Sequence, residues 1–85
     1  MSYSSEEIGE DQLAVLDDLA MLREDLADEL QAINQYEEHV LSLENEEAIS
    51  ALEDIVEEKK GHVAELVRLI LALDSVQAER FKKIL

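Results

Sequence analysis

The sequence predicts an all-α fold: an antiparallel two-helix hairpin that dimerises into a four-helix bundle. Three observations predict it. The 85 residues include no Pro and only two Gly, so few positions break a helix. Apolar residues recur every three or four positions through two long segments, the mark of an amphipathic helix. Finally, a chain this short with no Cys to cross-link it buries too little surface to be comfortably stable alone. Yet 47% of its residues are hydrophobic, more than an acidic disordered tail carries, so partner chains are expected to complete the core.

Residues 1–10 are polar and without a clear period, and are expected to form a flexible leader, with Ser5 or Gly9 as possible helix entry points. The helical hairpin is expected over residues 11–74. Its first apolar stripe reads Leu16, Leu19, Leu22, Leu26, Leu30, Ile33, Glu37 and Val40, with Glu37 its one polar member. Asp11, Asp17 and Asp18 suit the positive end of that helix. The pattern breaks near Leu43-Glu44-Asn45, where Asn45 can take a left-handed or capping conformation. A second helix is expected from Glu46 to Leu73, and Asp74-Ser75 forms a second break. Residues 75–85 read as a short, basic C-terminal helix or tail, with Val76 to Ile84 helical. Two helices of about 30 residues span roughly 40–50 Å at about 1.5 Å per residue. Joined by a short turn, they must lie antiparallel.

Charge narrows the function classes. The 22 Asp+Glu against 7 Lys+Arg give a net charge of −15, which argues against nucleic acid and anionic membrane surfaces as partners. Most of this charge reads as a solvated face that keeps a small oligomer soluble; a lesser reading is that it draws cations inward. The excess is uneven: through Glu58, Arg23 is the only Lys or Arg, whereas Lys59 to Leu85 carry six bases and three acids. The longest apolar stretch, Leu66 to Leu73, is interrupted by Arg68 and too short to span a bilayer. With no signal-peptide pattern either, the expected location is cytoplasmic.

The second helix holds the informative anomaly. Its expected seam reads Leu52, Ile55, Lys59, His62, Leu66, Leu69 and Leu73, with two ionisable residues in the middle. A buried Lys or His needs a partner. On the first helix Leu22, Glu29, Tyr36 and Leu43 stand seven apart in one row, and folding about residue 45 brings Glu29 level with Lys59-Lys60-Gly61-His62. Glu58 and His62 (i, i+4), or His62 and Glu65 (i, i+3), could share a cation. Twofold symmetry would double Glu29, Glu58 and His62 around one axis. The plainer readings are a packed histidine, a solvated Glu58, a core Tyr36, a surface His39, and a Lys59–Glu29 ion pair that fixes register.

The segment Asp28-Glu29-Leu30-Gln31-Ala32-Ile33-Asn34-Gln35-Tyr36-Glu37-Glu38-His39, followed by Glu57-Glu58-Lys59-Lys60-Gly61-His62-Val63, resembles the encapsulated ferritin-like family, half-length ferritins more distantly related to rubrerythrins. The resemblance covers roughly residues 13–74. It implies a ferritin-like bundle rebuilt by dimers, rings of dimers, and a di-iron ferroxidase site at the dimer interface. It also implies an encapsulin-type shell protein as partner and a place inside a protein nanocompartment. On this resemblance Glu29 matches the helix-one carboxylate, His62 the imidazole ligand, and Tyr36 the aromatic near the catalytic site. The bridging carboxylate of the family's Glu-x-x-His pair falls on Lys59, whose ammonium has no lone pair to give a metal.

Two functions are therefore expected to compete. In the first, Glu29 and His62 of two chains, with Glu58 as a displaced ligand, hold iron, di-iron or mononuclear, or another divalent cation such as Zn or Mn, for iron oxidation and storage. In the second, the chain is a metal-free ferritin-like structural or interaction module in which Lys59 pairs with Glu29 in place of metal. A generic acidic helical adaptor, a third reading, predicts no meeting of Glu29 with His62.

Overall fold

A computed structural model describes residues 9–85, and their only regular secondary structure is α-helix. The expected leader lies outside them, apart from Gly9 and Glu10. Among the described residues there are three helices and no strand: α1 (Glu10–Ser42), α2 (Glu46–Leu73) and α3 (Ser75–Ile84). The molecule is an elongated rod of 57 × 26 × 17 Å, of which the 33 residues of α1 span about 50 Å.

Each boundary has a local cause. The Gly9 N–H donates to Gln12 Oε1 at 3.0 Å and starts α1. Asn45 Oδ1 accepts from the Ala48 N–H at 2.8 Å, which caps α2 and leaves a three-residue turn. Asp74 alone separates α2 from α3: its N–H donates to the Ile70 carbonyl at 2.8 Å, and its Oδ1 accepts from the Gln77 N–H at 3.0 Å. The basic Lys82 and Lys83 then lie in the last turn of α3, where they oppose its negative end.

The hairpin seam differs from the expected stripe. The buried or half-buried row of α1 is Val15, Leu19, Leu22, Leu26, Glu29, Ile33, Tyr36 and Val40, in strictly alternating steps of four and three. On α2 it is Ile49, Leu52, Val56, Lys59, Val63, Leu66 and Ile70, in the same alternation. That period of 3.5 is what keeps two helices facing each other along their whole length. Leu16, Leu30 and Glu37 therefore give way to Val15, Glu29 and Tyr36; Leu30 is left 48% exposed. Likewise Ile55 and His62 are exposed and give way to Val56 and Val63, Leu69 stays half-buried beside the buried Ile70, and Leu73 is left partly open.

The two flanks of the hairpin carry different chemistry. Arg23 Nη2 bonds Asp74 Oδ2 at 2.8 Å, and Lys60 Nζ bonds Glu37 Oε2 at 3.4 Å. Arg23 and Glu37 stand four turns apart on α1, and Lys60 of α2 stands as far from Asp74 at the C-terminal cap of that helix, so both bridges run along one flank. Leu16 and Leu30 belong to that same row of α1. Ile55, His62 and Leu69, seven apart on α2, line the other flank.

Candidate functional site

Halfway along the seam the apolar layers are interrupted by Glu29. The 4-3 alternation turns its side chain toward α2, where Lys59 occupies the facing row. Lys59 Nζ lies 3.3 Å from Glu29 Oε1 and 3.4 Å from Oε2, so one ammonium addresses both carboxylate oxygens. The two side chains are 20% and 21% exposed. The same ammonium stands 5.9 Å from the centre of the half-buried Tyr36 ring, within cation–π range.

His62 reaches Glu29 from the side. Its Nδ1 lies 3.2 Å from Glu29 Oε2, while the ring is 60% exposed on the flank of Ile55 and Leu69. This corrects the expectation of a seam histidine: Val63 fills the seam, and His62 touches the carboxylate from the open edge. Partial burial pushes the Glu29 carboxyl up. The hydrogen bonds and charges of Lys59 and His62 together outweigh it and hold the group below the usual carboxylate range.

A shallow depression beside this trio is lined by Asp25, Asp28, Glu29, His62, Glu65 and Leu66. Asp25 and Asp28 did not stand out in the sequence; their one signal is the spacing of four and one from Glu29, which an acidic helix blurs. Glu65, considered as a partner for His62, instead pairs with Arg68 one turn on. Hydrogen bonding and charge from Arg68 lower the Glu65 carboxyl, and Glu65 raises Arg68 in turn. Glu58 is exposed and is not joined to Glu29 or His62 among the described residues. It projects about 100° round the helix from Lys59. His39 is exposed, as expected.

Within one chain this donor set does not fit a metal ion. The convergent groups are one carboxylate, one imidazole and one ammonium, and an ammonium only donates. Among the described residues no group of three or more His, Cys, Asp and Glu could hold a metal. What the arrangement does is electrostatic: a partly desolvated carboxylate is satisfied from two directions by α2, and that fixes which turn of α2 faces which turn of α1.

Comparison with known proteins gives two relatives. The chain is 40% identical over 68 residues to the encapsulin nanocompartment cargo protein EncB of Myxococcus xanthus (strain DK1622), covering 80% of this chain and 43% of that protein. It is 36% identical over 62 residues to the encapsulin nanocompartment cargo protein EncC of the same organism, covering 73% of this chain and 48% of the relative. No family model matches, and no solved structure matches significantly. No helix among the described residues is long and apolar enough to cross a membrane. The chain is thus a homologue of encapsulin nanocompartment cargo proteins through most of its own length, and it spans about half the length of the curated relatives it matches.

Proposed function

We propose that this chain is a metal-free, ferritin-like structural module associated with an encapsulin nanocompartment, in which the Lys59 ammonium supplies the charge that a metal would otherwise bring to Glu29. One observation carries the reading: Lys59 Nζ engages both oxygens of Glu29, at 3.3 and 3.4 Å. Those lone pairs are the ones a cation would need, and a positive charge already stands beside them. The module pairs with a second copy through the flank of Ile55, His62 and Leu69 to form a four-helix bundle. The cargo names of its two relatives support a location inside an encapsulin shell.

A second reading rests on His62. Its exposed ring stands beside Asp25, Asp28 and Glu65, and a twofold partner would bring another Glu29 and His62 to that face, a donor set for iron as bound substrate or for another divalent cation. Anaerobic Fe(II) titration followed by calorimetry separates the two. The module reading expects no binding at neutral pH by the wild type, a melting temperature unchanged by chelator, and new binding in Lys59→Glu. Stoichiometric Fe(II) binding by the wild type overturns it in favour of the second reading. Where the wild type binds nothing and Lys59→Glu binds nothing either, the idea that Lys59 stands in for a metal is overturned.

A further inference from the structure

One residue divides the second half of the chain into two helices. Asp74, between α2 and α3, has an extended backbone with φ −116° and ψ 94°. Nothing in the sequence demands a break there: the chain has no Pro, and no Gly follows Gly61. The break also costs backbone bonds. In an unbroken helix the N–H groups of Ser75, Val76 and Gln77 would donate to the carbonyls of Leu71, Ala72 and Leu73. Gln77 finds a substitute in Asp74 Oδ1 at 3.0 Å. The other oxygen of that carboxylate accepts from Arg23 Nη2 at 2.8 Å. One half-buried carboxylate thus caps α3 and ties the bend to α1. Arg23 is the only Lys or Arg before Lys59, so no other such cation of α1 can take its place.

An unbroken helix would have partners of its own. Continuing the α2 row of Leu66 and Ile70 by the same alternating steps gives Leu73, Gln77, Arg80 and Ile84. Glu29 faces Lys59 across the seam. Arg80 lies 21 residues past Lys59, and Glu10 lies 19 before Glu29. Joining the helices would therefore bring Arg80 nearly level with the acidic first turn of α1, Glu10 and Asp11. In the bent chain no Cα of α3 comes within 8 Å of α1. Among the described residues Arg80, Lys82 and Lys83 there pair with no carboxylate. Each arrangement holds contacts that the other lacks: the cap and Arg23 in one, the backbone bonds and the Arg80 side in the other.

We propose that Asp74 is a conformational latch: its bonds to Gln77 and Arg23 keep α2 and α3 bent, and their release joins the two into one helix over residues 46–84. The latch governs a surface within its own chain. Asp74, Ser75 and Val76 form one wall of a groove whose apolar floor is Val15, Leu16, Leu19 and Leu73. That wall is the bend itself, so the groove exists only while the latch is closed. The inference involves no metal and does not depend on the ion pair of Lys59 with Glu29 standing in for one.

Distances between two spin labels within one chain test it. The chain has no Cys, so Glu57→Cys and Lys83→Cys, both at exposed positions, place labels on α2 and α3 alone. Labelled chain diluted into excess unlabelled chain reports distances within one chain only. In an unbroken helix these positions stand about 39 Å apart along the axis; the wild type should show a shorter distance. Asp74→Ala removes both bonds, and the long distance should become the main peak, with helix content raised. Arg23→Gln removes one bond, and the long distance should appear as a second peak. Adding Ser75→Pro to Asp74→Ala should restore the short distance. Proline suits the first position of α3 and the extended Asp74 before it, but it blocks a helix running through. An Asp74→Ala chain that keeps only the short distance overturns the inference. So does one with a broad distribution and lowered helix content, which would mean that α3 has come loose. An Arg23→Gln chain indistinguishable from wild type overturns the latch by leaving the bend to the cap alone, and a long peak that survives Ser75→Pro overturns the joining of the helices.

Discussion

The two ends of the hairpin seam and its middle are held by different physics. Toward the open end the buried residues are Leu19 on α1 and Ile70 on α2; toward the turn they are Ile33 and Val56. These layers gain from removing apolar surface from water, a force with little preference for one register over the next. Between them, Glu29, Lys59 and Tyr36 are joined by directional contacts, with His62 completing the carboxylate's partners. Such a pair adds little net stability, because desolvation of two charges offsets most of their attraction. A slip of α2 by one turn would leave both charges unpaired, so the middle opposes slippage while the ends supply the binding energy.

The largest expected effect breaks an end. Leu19→Ala removes a side chain only 3% exposed and should cost about 2–5 kcal/mol in urea unfolding at fixed protein concentration. Leu30→Ala, one position from the seam and 48% exposed, should cost under about 1 kcal/mol when the chain is dilute, and more only where a second copy covers it. Equal losses at the two sites would mean that the strict four-three alternation does not define the seam.

That contrast also shows how far the sequence could be read. Helix ends were legible because Asn45 and Asp74 have short polar side chains suited to capping, and both cap. The meeting of Glu29 with Lys59 and His62 was legible from distance to the turn alone. Register was not. Following the most apolar choice at each step leads to Leu16 and Leu30, whereas the helices keep a constant period and accept Glu29 in its place. Accepting a carboxylate is reasonable only once Lys59 is known to face it. His62 was displaced for the same reason: Val63, one residue on, continues the period of Val56 and Ile70. The additional acids beside the site, Asp25 and Asp28, were hidden among the 19 acids that precede Lys59.

A smaller effect isolates the middle. The Glu29 carboxyl is held below its ordinary value in the folded chain. Its contribution to stability is therefore complete above the unfolded carboxylate pKa. It is lost as the pH falls through the lower, folded value, where protonation breaks the bonds to Lys59 and His62. Wild type and Glu29→Gln should show a stability difference that is constant at neutral pH and shrinks on acidification below the ordinary carboxylate range. Urea midpoints measured in parallel for the two proteins cancel the general effect of discharging the acidic surface. A difference that does not change with pH would show that Glu29 is not anchored by charge.

The smallest effect concerns Gly61, in the α2 turn that also carries Lys59 and His62. Its backbone is helical and its φ is not positive, so nothing in the conformation requires glycine. A Cβ at this position would meet no atom within 4 Å. In an exposed helix interior glycine costs about 0.5–1 kcal/mol relative to alanine, through the greater freedom of the unfolded chain. Gly61→Ala should therefore stabilise the dilute chain by about that amount. The middle of the hairpin would then be weak twice over, in its seam and in its helix, and the gain measures the second weakness without touching the first. If the substitution destabilises instead, and does so more as protein concentration rises, a neighbouring copy approaches the α2 backbone closely at Gly61, and the glycine belongs to assembly rather than to the hairpin.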